Sequence, residues 1–293
     1  MLREKLFATT LSVFAAAGAL AQGPRIAIVA AAANTANEQT NTRFTDPRDM
    51  LMADGRFSQV DIISTTRFGG GHTPTLAELL QYDAVLHWTN DSNDNSVALG
   101  NVFADYVDAG GGVVVAVFAN TSTNTARFLQ GRWLTGGYEI IPSQGGHTEG
   151  PIPGTPPSAT QGYVHMSAPL DPSHPIFAGV DDVRLNWRTT SQGLRWGAHR
   201  PTTTALHSWG TKLALWEDGK TAVASHNTII NRIDLGIHPV SDLVADGYYD
   251  RTSDAGRLIA NAMFYSATAV PEPTTLAGLG LGLLALRRRR RLR

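Results

Sequence analysis

From Arg25 to Ala33 the chain is almost continuously apolar, with Ile26, Ile28 and Val29, as in a strand buried on both faces. Asp46 and Pro47 then read as the N-cap and first position of a helix that carries Met50, Leu51 and Met52 and stops at Gly55. Val60, Ile62 and Ile63 predict a second strand. Beyond the Gly69-Gly70-Gly71 loop, Thr75 to Leu80 predicts a short helix and Tyr82 to Trp88 a third strand. Val102, Phe103, Tyr106 and Val107 give Val97 to Ala109 a helical period, which Gly110 to Gly112 ends. Val113 to Val117 is a fourth, wholly apolar strand. Strands alternating with helices predict an α/β fold: a doubly wound, mostly parallel sheet, helices on both faces, right-handed crossovers.

Past Phe118 the alternation loosens. Pro142 to Pro157 holds five Pro and four Gly, which predicts a long surface loop. Residues 204–235 make the C-terminal half strand-rich: Thr204 to Trp209, Leu213 to Trp216, a turn at Glu217-Asp218-Gly219, Ala222 to Ser225, and Ile229 to Leu235. Asp254 to Tyr265 is an amphipathic helix with Leu258, Ile259, Ala262 and Met263 on one side, and Ser266 to Ala269 reads as linker. There is no internal repeat.

The two ends follow other rules. Arg3 and Lys5 precede a 15-residue apolar stretch, Leu6 to Leu20, and Ala19-Leu20-Ala21 offers the small-x-small pattern of a signal peptidase site. Cleavage is expected between Ala21 and Gln22, so residues 1–21 are a signal peptide. At the other end, Pro271, Glu272 and Pro273 precede an apolar segment, residues 274–286, and the cluster Arg287, Arg288, Arg289, Arg290 and Arg291. Arginines flanking such a segment stay on the cytoplasmic side, which places the body across the membrane. Thirteen helical residues span about 20 Å against a core of roughly 30 Å, so a transient membrane anchor fits better than a permanent one.

Charge separates the same three pieces. The overall −1 combines +1 over residues 1–21 with +5 over residues 270–293, which leaves −7 on the body. An acidic body has no electrostatic footprint for nucleic acid. The absence of cysteine removes disulfides, thiol nucleophiles and thiolate metal ligands, and a body of this length needs no staples to bury an ordinary core.

The tail (Pro271-Glu272-Pro273, apolar segment, arginine cluster) resembles the PEP-CTERM sorting signal of Gram-negative bacteria. The resemblance implies processing by an exosortase, a membrane-embedded enzyme. It also implies a product released to or held at the cell surface of an organism that makes an exopolysaccharide or biofilm matrix. The domain organisation expected is signal peptide 1–21, α/β domain 22–267 and sorting tail 268–293.

Four segments of the body are similar to the class I glutamine amidotransferase-like fold, a flavodoxin-like sandwich, and to its exported ThuA-like relatives. They are Tyr82 to Trp88, Ala104 to Val115, His174-Pro175-Ile176-Phe177-Ala178-Gly179-Val180 and the final helix. Working amidotransferases of that family carry a cysteine after the strand that here is Val113 to Val117; this chain has Phe118-Ala119-Asn120-Thr121-Ser122. The family's His-Pro-Glu becomes His238-Pro239-Val240. Without thiol and orienting carboxylate, amidotransferase chemistry is excluded. Ser122 with His238 as its base is the remaining nucleophilic pair; otherwise His238 is a capped strand-end histidine.

Other candidates carry plainer alternatives. Asp91 to Asn95 offers oxygens to calcium but lacks the glycine and bidentate glutamate of a calcium loop, so a cap for the following helix is expected. Among the nine histidines, including His72, His87, His147, His165, His174 and His226, no His-x-x-x-His or His-x-His stands beside an acid, and no metal or other cofactor is expected. Trp187, Trp196, Trp209 and Trp216, interleaved with Arg184, Arg188, Arg195, His199 and His207, fit either a sugar-stacking surface or core packing.

Two functions follow. One is a non-catalytic envelope or matrix protein that binds polysaccharide or surface proteins. The other is an exported ThuA-like enzyme acting on sugar derivatives. Histidines His87, His147 or His238 gathered with a carboxylate at the carboxyl edge of the sheet favour the enzyme; scattered ones favour the binding protein.

Overall fold

A computed structural model describes residues 22–32, 40–67 and 70–269. Residues 1–21, expected as a signal peptide, Pro271, Glu272 and Pro273, the segment 274–286 and Arg287 to Arg291 lie outside the described residues, as do Ala33 and Gly69.

The apolar runs become parallel strands: β1 (Arg25–Ala30), β2 (Gln59–Ser64), β3 (Ala84–His87) and β4 (Gly112–Ala116). Helices α1 (Thr42–Ala53), α2 (Leu76–Leu79), α3 (Ser96–Asp108) and α4 (Arg132–Thr135) join and follow them. Short strands β5 (His147–Thr148), β6 (Gln161–His165), β7 (Arg184–Thr189), β8 (Arg195–Gly197) and β9 (Arg200–Pro201) come next. The chain then returns to the main sheet with β10 (Gly210–Leu215), β11 (Thr221–His226) and β12 (Arg232–Leu235) before α5 (Ala255–Thr268). The seven-stranded sheet runs β10-β11-β12-β4-β3-β1-β2. Pairings from β12 to β2 are parallel, and the last hairpin adds two antiparallel strands at the opposite edge.

Period-two alternation sends each strand's residues into two cores. Ile26, Ile28, Leu86 and Val114 meet Phe44 and Leu51 of α1 and Leu258, Ile259, Ala262 and Met263 of α5. Ala27, Val29, Val85 and Val113 meet Leu99, Phe103 and Tyr106 of α3.

Several boundaries differ from the sequence pattern. Helix α1 begins at Thr42 with Asn41 as cap, its side chain accepting from the Arg43 N–H, so Pro47 lies inside the helix. Asp46, expected as the cap, instead accepts from the Ser241 N–H and hydroxyl at 2.7 Å each. The expected linker after Tyr265 is the last turn of α5. Gly112 makes room for it: a Cβ there would sit 2.2 Å from the Ser266 carbonyl oxygen. Thr204 to Trp209 forms no strand. The proline-rich loop contains β5, paired with β9, and buries Ser143. A three-stranded sheet, β6-β7-β8, was not among the expected elements, although Leu185 and Trp187 alternate with Arg184, Asn186 and Arg188 along β7.

Candidate functional site

Four neighbouring strands of the sheet end together at one rim. β1 and β3 are adjacent, while the chain leaves β1 through α1 on one face and β3 through α3 on the other. Such a reversal opens a crevice at the carboxyl ends of the strands. The backbone stays paired beyond the strands: Ala31 donates to Trp88, Phe118 to Thr89, and Val117 to Ile237. These bonds bring Trp88, Phe118 and His238 to one rim.

Phe118, almost wholly buried, lies two residues beyond the end of β4. Its ring centroid lies 4.6 Å from that of His147, 5.0 Å from His199 and 5.3 Å from His238. The Arg127 guanidinium lies 5.7 Å from the same ring. Trp88 and Tyr248 close over His238 at 5.0 and 4.6 Å. His238 Nδ1 hydrogen-bonds the Val117 carbonyl at 3.0 Å, which makes that nitrogen the protonated one and leaves Nε2 as a bare acceptor. Burial, with smaller contributions from nearby Arg43, Arg127 and His147, pushes His238 down to about 3, so the ring is neutral.

His147 and Glu149 lie two residues apart along β5 and its extension, which puts both side chains on one face. β5 pairs antiparallel with β9, His147 opposite Pro201 and Thr148 opposite Arg200; one residue further, the same register sets Glu149 opposite His199. Glu149 Oε2 is 3.5 Å from His199 Nδ1. His199 follows Ala198, the only non-glycine residue with positive φ among the described residues, at +46°. That left-handed turn carries His199 inward to 5% exposure while His147 and Glu149 remain exposed. Burial pushes the His199 and His147 imidazoles down, chiefly by desolvation, and raises the Glu149 carboxyl.

Buried polar atoms without hydrogen-bond partners crowd the same rim. They include Arg43 Nε, Trp88 Nε1, Thr89 Oγ1, Asn120 Oδ1, Thr121 Oγ1, Arg127 Nε, His199 Nδ1 and His238 Nε2. A folded interior pairs such groups with few exceptions.

The residues singled out by sequence divide clearly. Ser122 is buried, its Oγ accepts from the Asn124 N–H, and no hydrogen bond joins it to His238. His87 lies one residue before Trp88 and therefore on the opposite face, where it meets Phe103 at 5.2 Å and bonds the Val29 carbonyl. Asn95 caps α3 by accepting from the Ala98 N–H, Asp91 accepts from Ser92, and the Asn93 amide oxygen accepts from Thr65. Trp187 and Trp216 belong to the core, the Trp209 indole stacks on His207, and Trp196 carries Arg188 on its face and packs against His199. The four indoles therefore form no common sugar-stacking face. Sequence reasoning missed Glu149, Arg127 and Tyr248 and read His199 only as a polar neighbour of the tryptophans; His147-Thr148-Glu149 was the available signal, since alternate residues on a strand share a face. A separate cavity of about 360 Å³ beside α1, lined in part by Asp46, Asp49, Tyr249 and Arg251, holds none of the histidines.

Residues 269–291 match the PEP-CTERM protein-sorting motif. That motif implies export to the cell surface of a Gram-negative bacterium. No curated protein matches the chain. Among solved structures, a ThuA-like protein from Parabacteroides merdae superposes with a TM-score of 0.50 at 14% identity, over 86% of this chain and 93% of that one. One from Bacteroides uniformis gives 0.51 at 15%, over 86% and 95%. At such identities the likeness is one of fold, and it spans the body. Among the described residues no helix is long and apolar enough to cross a membrane.

Proposed function

We propose that this chain is an exported protein, cleaved before Gln22 and sorted through Pro271-Glu272-Pro273 by an exosortase, whose domain acts on a sugar derivative at the carboxyl edge of its sheet. The supporting observation is the gathering of His147, Glu149, His199 and His238 around Phe118, among buried polar atoms that lack partners. His147 thus meets a carboxylate at that edge, with His238 across the Phe118 ring, the arrangement that favours an enzyme over a purely adhesive protein.

The chemistry follows from the side chains. Neutral His238 offers Nε2 to a substrate hydroxyl, and the Arg127 and Asn120 side chains offer further polar contacts. Glu149 sets its carboxylate beside these imidazoles, Oε2 3.5 Å from His199 Nδ1, where it bears directly on whatever binds there. Trp88, Phe118 and Tyr248 supply apolar walls of the kind that line pockets for polar rings.

The test is a panel of keto-, amino- and phospho-sugar derivatives incubated with the full chain and followed by tryptophan fluorescence and product mass. Saturable quenching with turnover, abolished in Glu149→Gln, is the expected result. Saturable binding of polysaccharide or surface protein without turnover would replace this reading with the adhesive one. No response across the panel would remove the site's claim to either.

A further inference from the structure

Transition-metal ligation needs side-chain lone pairs that converge from a supported backbone and keep a side open to solvent. The described residues contain one such set. His147, Glu149 and His199 each offer a ligand atom, and the three atoms lie within 4.8 Å of one another. Tetrahedral zinc, with bonds of roughly 2.0–2.2 Å, needs its ligand atoms about 3.4 Å apart. The Glu149–His199 separation is 3.5 Å, and the His147 ligand atom lies within 4.8 Å of both.

His199 supplies the second, independent observation. Its ring is 5% exposed, and its Nδ1 is buried, unbonded and turned toward Glu149. Backbone pairing between β5 and β9, together with the left-handed turn at Ala198, holds it there.

We infer that His147, Glu149 and His199 form a binding site for one divalent transition-metal ion, with zinc the best match. Two imidazoles with one carboxylate suit zinc, iron or nickel rather than magnesium or calcium, which take oxygen ligands. Three protein ligands leave a coordination position free, the arrangement of catalytic rather than structural zinc. The adjacent Arg127 guanidinium and the bare Nε2 of His238 would orient whatever occupies that position. The inference goes beyond the proposed activity, because metal binding is measured without any substrate.

The experiment uses the full chain purified without a histidine tag and stripped with a chelator. It is titrated with Zn²⁺ by calorimetry and with Co²⁺ by visible absorption. One equivalent should bind, and the Co²⁺ spectrum should report low-coordinate nitrogen and oxygen ligation. His147→Ala and Glu149→Gln, both at exposed positions, should each weaken binding by about 100-fold or more, since losing a mere outer-shell partner costs roughly 10- to 100-fold. His165→Ala, at an exposed histidine paired with Asp182, should bind like the parent. Circular dichroism of the stripped variants separates lost ligation from lost folding, and the Co²⁺ band is a readout that misfolding alone would not shift. Absence of a one-equivalent site, or binding unchanged in both ligand variants, would overturn the assignment. One-equivalent binding without turnover of any sugar derivative supports the metal and sinks the activity. Turnover by chain that binds no metal does the reverse.

Discussion

His87 makes the stability of this protein depend on pH in a calculable way. The ring is fully buried between the sheet and α3, bonded only through Nδ1 to the Val29 carbonyl. Desolvation pushes its pKa from 6.5 down to about 4; the Val29 bond opposes the shift and the Arg232 charge adds slightly to it. A histidine held neutral in the folded state contributes its full stability above pH 6.5 and loses it as the pH falls toward 4. At pH 5 the unfolded ring is protonated and the folded ring is not, which costs about 2 kcal/mol relative to pH 7.5. For a body of this size that lowers Tm by roughly 4–8 °C. Calorimetry on the parent and His87→Leu at pH 7.5, 6 and 5 isolates this contribution from that of the carboxylates. The variant's stability at pH 7.5 shifts with the lost hydrogen bond; the informative quantity is its slope with pH. His87→Leu should lose about 2 kcal/mol less than the parent between pH 7.5 and 5. Parallel slopes in the two proteins would refute a neutral, buried His87.

Asp234 is fully buried, accepting from the Ile141 N–H at 2.8 Å and from Arg232 at 2.6 Å. Asp234→Asn leaves the Arg232 charge buried without a counter-ion and should cost about 3–5 kcal/mol in a urea titration. Ala198 holds φ at +46°, which a β-branched side chain adopts at greater cost. Ala198→Val should therefore lose about 2 kcal/mol or more and weaken the proposed metal site, whereas Ala198→Gly should be close to neutral in thermal unfolding. Glu272→Ala should leave the arginine tail on the protein recovered from cells, detected by intact mass.

The sheet was legible because each parallel strand is a short apolar run and each helix an interrupted one. The start of helix α1 was misplaced by five residues because Asp46 next to Pro47 imitates a helix start, while the Asp46 carboxylate is committed to Ser241, 195 residues away. The end of α5 was lost for a similar reason. Ser266 looks like linker in sequence, and only the close approach allowed by Gly112 shows it to be core.

The candidate site was half visible. His238 and His147 stood out as histidines, but the search for paired histidines at close spacing passed over His147-Thr148-Glu149. The third member, His199, lies 50 residues further on and reaches the pair only through the β5–β9 ladder. The tryptophan row fits either a stacking surface or core packing by its spacing alone. Burial of Trp187 and Trp216 decides for the core, and it depends on which strands they join.

Processing at the two ends decides where the domain resides. The direct measurement is the intact mass of the protein from envelope and medium fractions of its native host. A species that starts at Gln22 and ends near Pro271 is predicted, with the acidic body as the functional unit. A species that still carries Arg287 to Arg291 would make the tail a lasting anchor and contradict sorting by removal.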